Sequence, residues 1–405
     1  MSSYHVLVKL LSSGRMPKRK AAHAPAEPVS KAARAAALPI FSQFDGKALC
    51  IFKQAYAREH RDDASVAAMV NGGGTPAKPV SVPAAPVTPK TVAPEPALVD
   101  QTFGPYTLKQ RIGKGHHGPV HLGTDAGGLP IAVKLERESI FDSKKQLAHE
   151  HALLLKCMAT DGQAVVTPAV FWLGSGHGFT AMAMELLGPS LDKLQSACGG
   201  TFTLKTVVMA ADQLLGCFER LHKLGITQRS VKPENMAVRL ASPETLVLID
   251  LGGGSQCRQF VAKARPSYTG VSFKGRCASI GSADGYETSQ RDDVEALGYA
   301  LVEMLGMLPW TEGQDANAMK ERKRSGVQDQ RIPDAIRALI SYTRGLCFGE
   351  APAYALWRSI FKQLFVDQNY GETEGLWSHG QFDWLTAAGK FKRGVISPDL
   401  VSYVL

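Results

Sequence analysis

One glycine-rich segment constrains the fold of this chain more than any other feature of its sequence. The letters GKGHHGPV, at 113–120, place Gly113, Gly115 and Gly118 between two β-like runs at 106–112 and 120–124. Glycines let the backbone amides of such a hairpin approach phosphate groups closely. Glycines also serve ordinary hairpins, so this segment alone supports a phosphate-binding loop only weakly.

Two charged residues follow the glycine-rich segment at informative distances. Lys134, in IAVK, lies on the next predicted strand, where its ammonium could reach the α- and β-phosphates of a nucleotide. Glu150, sixteen residues further on, lies on a predicted helix at 144–158 and could hold Lys134 through an ion pair. Either residue alone could be a surface charge, but this order is typical of the protein kinase fold and predicts ATP as a ligand. Val120 and Ala132 are predicted to contact the same nucleotide.

A second pair of residues predicts a magnesium site. Asp250 ends the strand-like run LVLID and continues as Leu251 and Gly252, which gives DLG where kinases carry DFG. Leucine keeps an apolar plug at the middle position, so Asp250 can still bind metal. Asn235, in VKPEN, is the expected second ligand. The alternative for Asn235 is a turn or helix-capping residue.

The predicted catalytic loop is altered. Kinases carry HRDxxxxN, in which the aspartate accepts a hydrogen bond from the substrate hydroxyl. This chain reads QRSVKPEN, so Gln228 and Ser230 replace the histidine and the aspartate, while Lys232 keeps its spacing. General-base assistance is worth about 10²–10⁴-fold in rate, so we expect a severe loss of activity that need not be total.

The order of the predicted elements indicates an α+β, bilobal, protein kinase-like fold. Strand-like runs with one helix occupy a small β-rich N-lobe at 103–188, and helical patterns at 203–224 and 292–308 belong to a larger α-helical C-lobe at 189–390. Residues 391–405 are interpreted as a C-terminal extension. Residues 1–102 are interpreted as a disordered, basic, Ala- and Pro-rich tail and linker, with one nascent helix at 41–69.

Composition limits the compartment and the partners. The net charge of +9 comes largely from the tail, and the seven scattered cysteines favour reduced thiols over disulfides or a zinc site. No apolar run approaches the ~18 residues of a membrane-spanning helix, so we expect no membrane contact. A basic cluster at 17–20 could be a nuclear address or an electrostatic contact. We therefore expect a cytoplasmic location, a nuclear location, or both.

Several blocks outside these motifs resemble the casein kinase 1 superfamily, which includes the tau-tubulin kinases. They are MELLGPSL at 184–191, FTLKTVVMAADQLL from residue 202, the stretch 289–310, and FDW at 382–384. The resemblance implies that Met184 is the gatekeeper and that Glu185 and Leu187 offer hinge backbone to adenine. It also implies that Asp293 holds the catalytic-loop backbone and that Lys232 contacts the γ-phosphate.

The same resemblance implies an anion or phosphopeptide site. Arg276, in KGRCAS, matches the arginine of the family's TxRYAS segment, and Lys320 begins a second basic cluster. A solvated helix end is the alternative for that cluster. The stretch 252–273 diverges from the family, and the segment around Arg276 is shorter, which weakens the case for an active enzyme.

Three functions remain open from the sequence. The first is a nucleotide-binding pseudokinase with a scaffolding or regulatory role, holding ATP and Mg²⁺ and contacting a protein partner. The second is a weakly active ATP-dependent serine/threonine kinase whose protein substrate is acidic or phosphorylated. The third is a phosphopeptide- or nucleic-acid-binding module without nucleotide. The first is favoured because Ser230 occurs beside intact Lys134, Asn235 and Asp250. Nucleic acid is not the expected partner, since no aromatic stacking platform accompanies the basic residues.

Overall fold

A computed structural model describes residues 98–115, 118–138, 146–159, 165–256, 269, 275–311, 315–325, 329–371 and 382–396. Residues 1–97 of the predicted tail, with its helix at 41–69 and the basic cluster at 17–20, lie outside the described residues. So does most of the divergent stretch 252–273. The end of the predicted tail is part of the fold, because Leu98 is buried in the N-lobe core and Thr102 lies in the first strand. Within the described part of the chain, no helix combines the length and the apolar character that crossing a membrane requires.

The N-lobe is built on one antiparallel sheet of six strands. Its elements are β1 (Thr102–Phe103), β2 (Tyr106–Gly115), β3 (Gly118–Thr124), β4 (Pro130–Arg137), helix α1 (Gln146–Met158), β5 (Val170–Gly176) and β6 (Phe179–Met184). The strand order in the sheet is β1-β2-β3-β4-β6-β5. Alternation along β4 sends Ile131, Val133 and Leu135 into the N-lobe core. Ala132 and Lys134 therefore point to the opposite face of the sheet.

The C-lobe is mainly helical, and most of its strands are short. The helices are α2 (Leu191–Ala197), α3 (Leu204–Lys223), α4 (Ile280–Ala283), α5 (Gln290–Met304), α6 (Ala316–Arg324), α7 (Asp334–Gly345) and α8 (Tyr354–Asp367). The strands are β7 (Leu187–Ser190), β8 (Ile226–Thr227), β9 (Met236–Arg239), β10 (Leu246–Leu248) and β11 (Ser255–Gln256), with 3₁₀ turns at Pro233–Asn235 and Leu251–Gly253. The predicted α+β arrangement, with a β-rich first lobe and a helical second lobe, is confirmed.

Local caps fix the two helices that carry the C-lobe core. Thr203 caps α3 by accepting a hydrogen bond from the Thr206 amide, and its own amide and hydroxyl donate to the Asp383 carboxylate. Ser289 and Asp292 form a reciprocal capping box at the start of α5. Asp383 belongs to the FDW block. The rings of Phe382 and Trp384 in this block stack in the core, with their centroids 4.4 Å apart.

The helical core extends into the region that the sequence assigned to a C-terminal extension. Phe391 and Val395 pack against the C-lobe core. The Lys392 amide also donates to the Trp384 carbonyl at 2.9 Å. Phe391 and Val395 therefore attach this segment to the C-lobe, residues 392–394 are exposed, and 397–405 lie outside the described residues.

Candidate nucleotide and metal site

A buried ion-pair network joins β4, α1 and the DLG segment. The Lys134 ammonium lies 2.7 Å from a Glu150 carboxylate oxygen and 2.8 Å from Asp250 Oδ1. The side chains of Lys134 and Glu150 are almost completely buried. Burial lowers the pKa of Lys134, but the two carboxylates more than offset this, so its pKa is raised and the ammonium stays charged. The sequence-predicted pair of Lys134 and Glu150 is thus in contact, with Asp250 as a third member.

Asp250 reaches this network because the DLG backbone turns sharply. Asp250 has left-handed angles, φ 59° and ψ 65°, which cost energy for a non-glycine residue. The next residue, Leu251, is fully buried in the core. On the far side of the turn, the Gly254 carbonyl lies 3.0 Å from His149 Nε2 on α1. The buried leucine and this contact hold the turn, as expected for an apolar plug at the middle position.

The glycine-rich segment forms the predicted hairpin of β2 and β3. Gly113 pairs with Val120, and Gly115 pairs with Gly118. Gly118 has φ +147°, and a Cβ atom there would lie 2.0 Å from the Leu135 carbonyl oxygen. A side chain is therefore excluded at Gly118, whereas a Cβ at Gly113 would make an ordinary 3.8 Å contact with Val120. Residues 116 and 117 at the tip lie outside the described residues.

A small apolar cluster joins the hairpin to β4 and to the segment after Met184. Ala132 and Leu186 are buried in it, and the predicted contacts Val120 and Met184 pack against it. Ile112 and Leu240 also belong to this cluster and were missed from the sequence. The position of Ile112 directly before Gly113 could have indicated that it lies near the glycine-rich hairpin. No motif near Leu240 in the sequence indicates that it belongs to this cluster. An apolar cluster on the same face of β4 as Lys134 suits a flat heteroaromatic base attached to phosphates.

The hinge after Met184 is tied to the C-lobe by a residue that the sequence did not point to. Arg239, at the end of β9, forms an ion pair with the Glu185 side chain and donates to the Val165 carbonyl at 2.8 Å. The Glu185 amide donates to the Ala169 carbonyl at 2.8 Å. Leu187 opens β7 and pairs with Arg239. The implied hinge residues Glu185 and Leu187 therefore lie on a fixed backbone.

Asp293 holds the altered catalytic loop in shape. Its carboxylate accepts hydrogen bonds from the Gln228 and Arg229 amides, both at 2.8 Å, and lies 2.9 Å from His222 Nε2. The Gln228 side-chain amide donates to the Ile249 carbonyl at 3.0 Å, directly before Asp250. Gln228 thus links the loop to the DLG turn.

Ser230 and Asn235 contact each other across the catalytic loop. The Asn235 side-chain amide donates to the Ser230 carbonyl at 2.8 Å and lies 3.2 Å from the Ser230 hydroxyl oxygen. Asn235 makes both contacts through its side-chain nitrogen, so the predicted role as a metal ligand would fall to its side-chain oxygen. The Asn235 carbonyl also accepts from the Ile249 amide at 3.0 Å, which links the segments carrying both predicted metal ligands. Lys232 lies on the same loop and is partly exposed.

The two residues of the predicted anion site already bind carboxylates of this chain. Arg276 donates to Glu234 at 2.6 Å and to Glu303 at 2.5 Å. The Lys320 ammonium lies 3.4 Å from Asp284. Two of the three guanidinium nitrogens of Arg276, Nε and Nη2, are therefore already bound to carboxylates. These partners could not be predicted from sequence patterns, because Glu234 and Glu303 lie 42 and 27 residues away from Arg276.

The fold and these contacts define a bilobal domain in which a lysine, a glutamate and an aspartate meet between the lobes. A family model described as the protein kinase domain matches residues 106–343, more than half of the chain. The chain therefore belongs to the protein kinase family.

Proposed function

We propose that this chain is a nucleotide-binding pseudokinase of the casein kinase 1 type, with a scaffolding or regulatory role. One observation carries the proposal. Asp293 anchors the catalytic loop through the Gln228 and Arg229 amides, while the base position of that loop is Ser230. The loop keeps its anchor but has lost the carboxylate that the anchor would position.

The residues on the nucleotide side fit ATP and Mg²⁺. Asp250 and Asn235 would hold Mg²⁺, since carboxylate and amide oxygens are the hard ligands that this ion prefers. Lys134 would bind the phosphates, and the close approach at Gly118 leaves room only for backbone in the hairpin. Bound Mg²⁺ would supply positive charge that neutralises the phosphate oxygens.

The catalytic loop has no carboxylate placed to accept the substrate proton. Between residues 228 and 235 the only acidic side chain is Glu234, which binds Arg276 at 2.6 Å. The Ser230 hydroxyl is uncharged and lies against the Asn235 amide at 3.2 Å. Loss of a general base costs about 10²–10⁴-fold in rate, or about 3–5 kcal/mol of transition-state stabilisation.

A weakly active serine/threonine kinase is the second candidate, and the intact network of Lys134, Glu150 and Asp250 favours it. Positioning and metal electrostatics supply most of the rate of phosphoryl transfer, so loss of the base alone leaves room for slow turnover. The third candidate, a phosphopeptide- or nucleic-acid-binding module, is disfavoured by the carboxylates bound to Arg276.

Binding of nucleotide to the full chain tests the proposal. We expect ADP with Mg²⁺ to raise the melting temperature of the wild type, and Asp250→Asn to remove the Mg²⁺-dependent part of that rise. Asp329→Asn is the matched control, because Asp329 pairs with Arg331 at the C-lobe surface. No stabilisation of the wild type by millimolar ADP and Mg²⁺ would refute nucleotide binding.

Phosphate transfer to casein or to the chain itself separates the two candidates. A pseudokinase gives no transfer above that of Asp250→Asn. Transfer by the wild type that disappears in Asp250→Asn would establish the weak kinase instead. Ser230→Asp restores the missing carboxylate on an anchored loop, and any gain in its rate measures the base alone.

A further inference from the structure

The 3₁₀ turn that carries Asn235 has few internal restraints. It contains only Pro233, Glu234 and Asn235, and its own backbone contacts are Asn235 N to the Lys232 carbonyl at 2.9 Å and the Met236 amide to the Pro233 carbonyl. Turns of this length have poor hydrogen-bond geometry of their own, so contacts from outside help to decide where their side chains point. On one side, the turn is held by the contact between Asn235 and Ser230 and by the Ile249 amide, which donates to the Asn235 carbonyl at 3.0 Å.

The other side of the turn is held by Arg276. Arg276 Nη2 donates to Glu234 Oε1 at 2.6 Å, and Glu234 directly precedes Asn235. The Arg276 side chain is only 14% exposed, so solvent screens this pair weakly. Charge-assisted hydrogen bonds of this kind are about twice as strong as neutral ones.

Contacts from the helical core of the C-lobe hold Arg276 in place. Its Nε donates to Glu303 on α5 at 2.5 Å, and Cys277 Sγ lies 3.0 Å from the other oxygen of Glu303. The Trp310 indole donates to the Arg276 carbonyl at 2.8 Å. Lys323 also donates to the Gly275 and Ala278 carbonyls that flank this segment. The Arg276 guanidinium therefore links Glu303 in the helical core to Glu234 in the Asn235 turn.

We propose that Arg276 is a positioning residue for the metal site: through Glu234 it holds the turn that presents Asn235 to Mg²⁺. The inference rests on the proposed nucleotide and magnesium binding. It assigns Arg276 to the metal side of the domain, in place of a role as a receptor for external anions. Residues that orient a metal ligand typically contribute about 10–100-fold to metal affinity.

The test is a Mg²⁺ titration of the full chain with a fluorescent ADP analogue present throughout. Arg276→Met keeps the aliphatic stem and removes both carboxylate contacts. We expect its Mg²⁺ midpoint to rise at least about tenfold, while affinity for the analogue in EDTA stays at the wild-type value. Arg276→Lys keeps the charge without the forked geometry and should give an intermediate midpoint.

Two further variants protect the test against misfolding and general charge effects. Arg331→Met removes an arginine that pairs with Asp329 at the surface, and should leave the Mg²⁺ midpoint unchanged. Glu303→Gln weakens the support of Arg276 without touching Glu234, and should raise the midpoint less than Arg276→Met does.

The outcomes separate this inference from the proposed function. Equal Mg²⁺ midpoints for Arg276→Met and Arg331→Met overturn the positioning role alone. Parallel loss of analogue binding in EDTA by Arg276→Met also overturns it, because that result indicates general damage to the domain. A wild type without any Mg²⁺-dependent binding overturns both the inference and the magnesium part of the proposed function.

Discussion

Replacing Asp293 with alanine should strongly destabilise the domain. The Asp293 carboxylate is almost completely buried and accepts from two backbone amides, with His222 Nε2 as a third neighbour at 2.9 Å. Hydrogen bonds to a charged group contribute about 1.5–3 kcal/mol each, and their buried donors would be left without an acceptor. Removing one partner of such a buried network costs about 3–5 kcal/mol, so we expect about 4 kcal/mol.

The backbone at Arg229 offsets part of this cost, because its strain would be released when the anchor is lost. Arg229 has φ +67°, a left-handed conformation that disfavours a side-chain-bearing residue by about 1–2 kcal/mol. The Arg229 amide donates a hydrogen bond to Asp293 at 2.8 Å, which restrains the backbone in this conformation. Asp293→Asn keeps one acceptor oxygen, so its effect should be about half that of alanine.

Urea denaturation of the full chain, followed by tryptophan fluorescence, measures the effect. Asp192→Ala is the control, because Asp192 lies in the first turn of α2 and accepts from the Ser190 hydroxyl. It should cost no more than about 1 kcal/mol. A loss below about 1 kcal/mol for Asp293→Ala would refute the claim that this carboxylate holds the loop.

Two smaller predictions follow from the N-lobe hairpin and from α6. Gly118→Ala should lower the melting temperature far more than Gly128→Ala, because Gly118 meets the Leu135 carbonyl whereas Gly128 has positive φ but open space. Burial lowers the pKa of Lys323 to about 8. Above pH 8 the unfolded state then binds more protons than the folded state, so the free energy of unfolding rises with pH. Relative to Lys323→Met, the wild type should gain about 1.4 kcal/mol per pH unit up to about pH 10. Urea denaturation of both proteins measures this difference. A flat difference would contradict this.

The sequence predicted the parts of this domain whose signals are local. The order of the motifs placed Lys134 on a strand and Glu150 on the helix that follows, and their side chains are in contact. The helix predicted at 292–308 instead spans Gln290–Met304. It starts earlier because Ser289 and Asp292 form a capping box, and it ends earlier because Gly306 adopts φ +69°.

Partners that are distant along the chain were beyond the reach of sequence patterns. Arg239 pairs with Glu185 over 54 residues, and Arg276 pairs with Glu234 over 42. A single arginine in a short strand or loop shows no periodic pattern, so the sequence does not indicate which carboxylate it pairs with. For that reason an arginine interpreted as an anion receptor turned out to be bound by two acidic side chains of its own chain.

The internal pairing of Arg276 and the loss of the catalytic aspartate affect the same side of the domain. Ser230 removes the group that would accept the substrate proton, and Glu303 binds the cation that would attract an acidic substrate. Neither change touches the contacts among Lys134, Glu150 and Asp250. If Arg276 holds the Asn235 turn, restoring an aspartate at 230 cannot by itself recreate a receptor for acidic peptides. Freeing Arg276 for such peptides would in turn loosen the metal site, so the two sides of the domain cannot be changed independently.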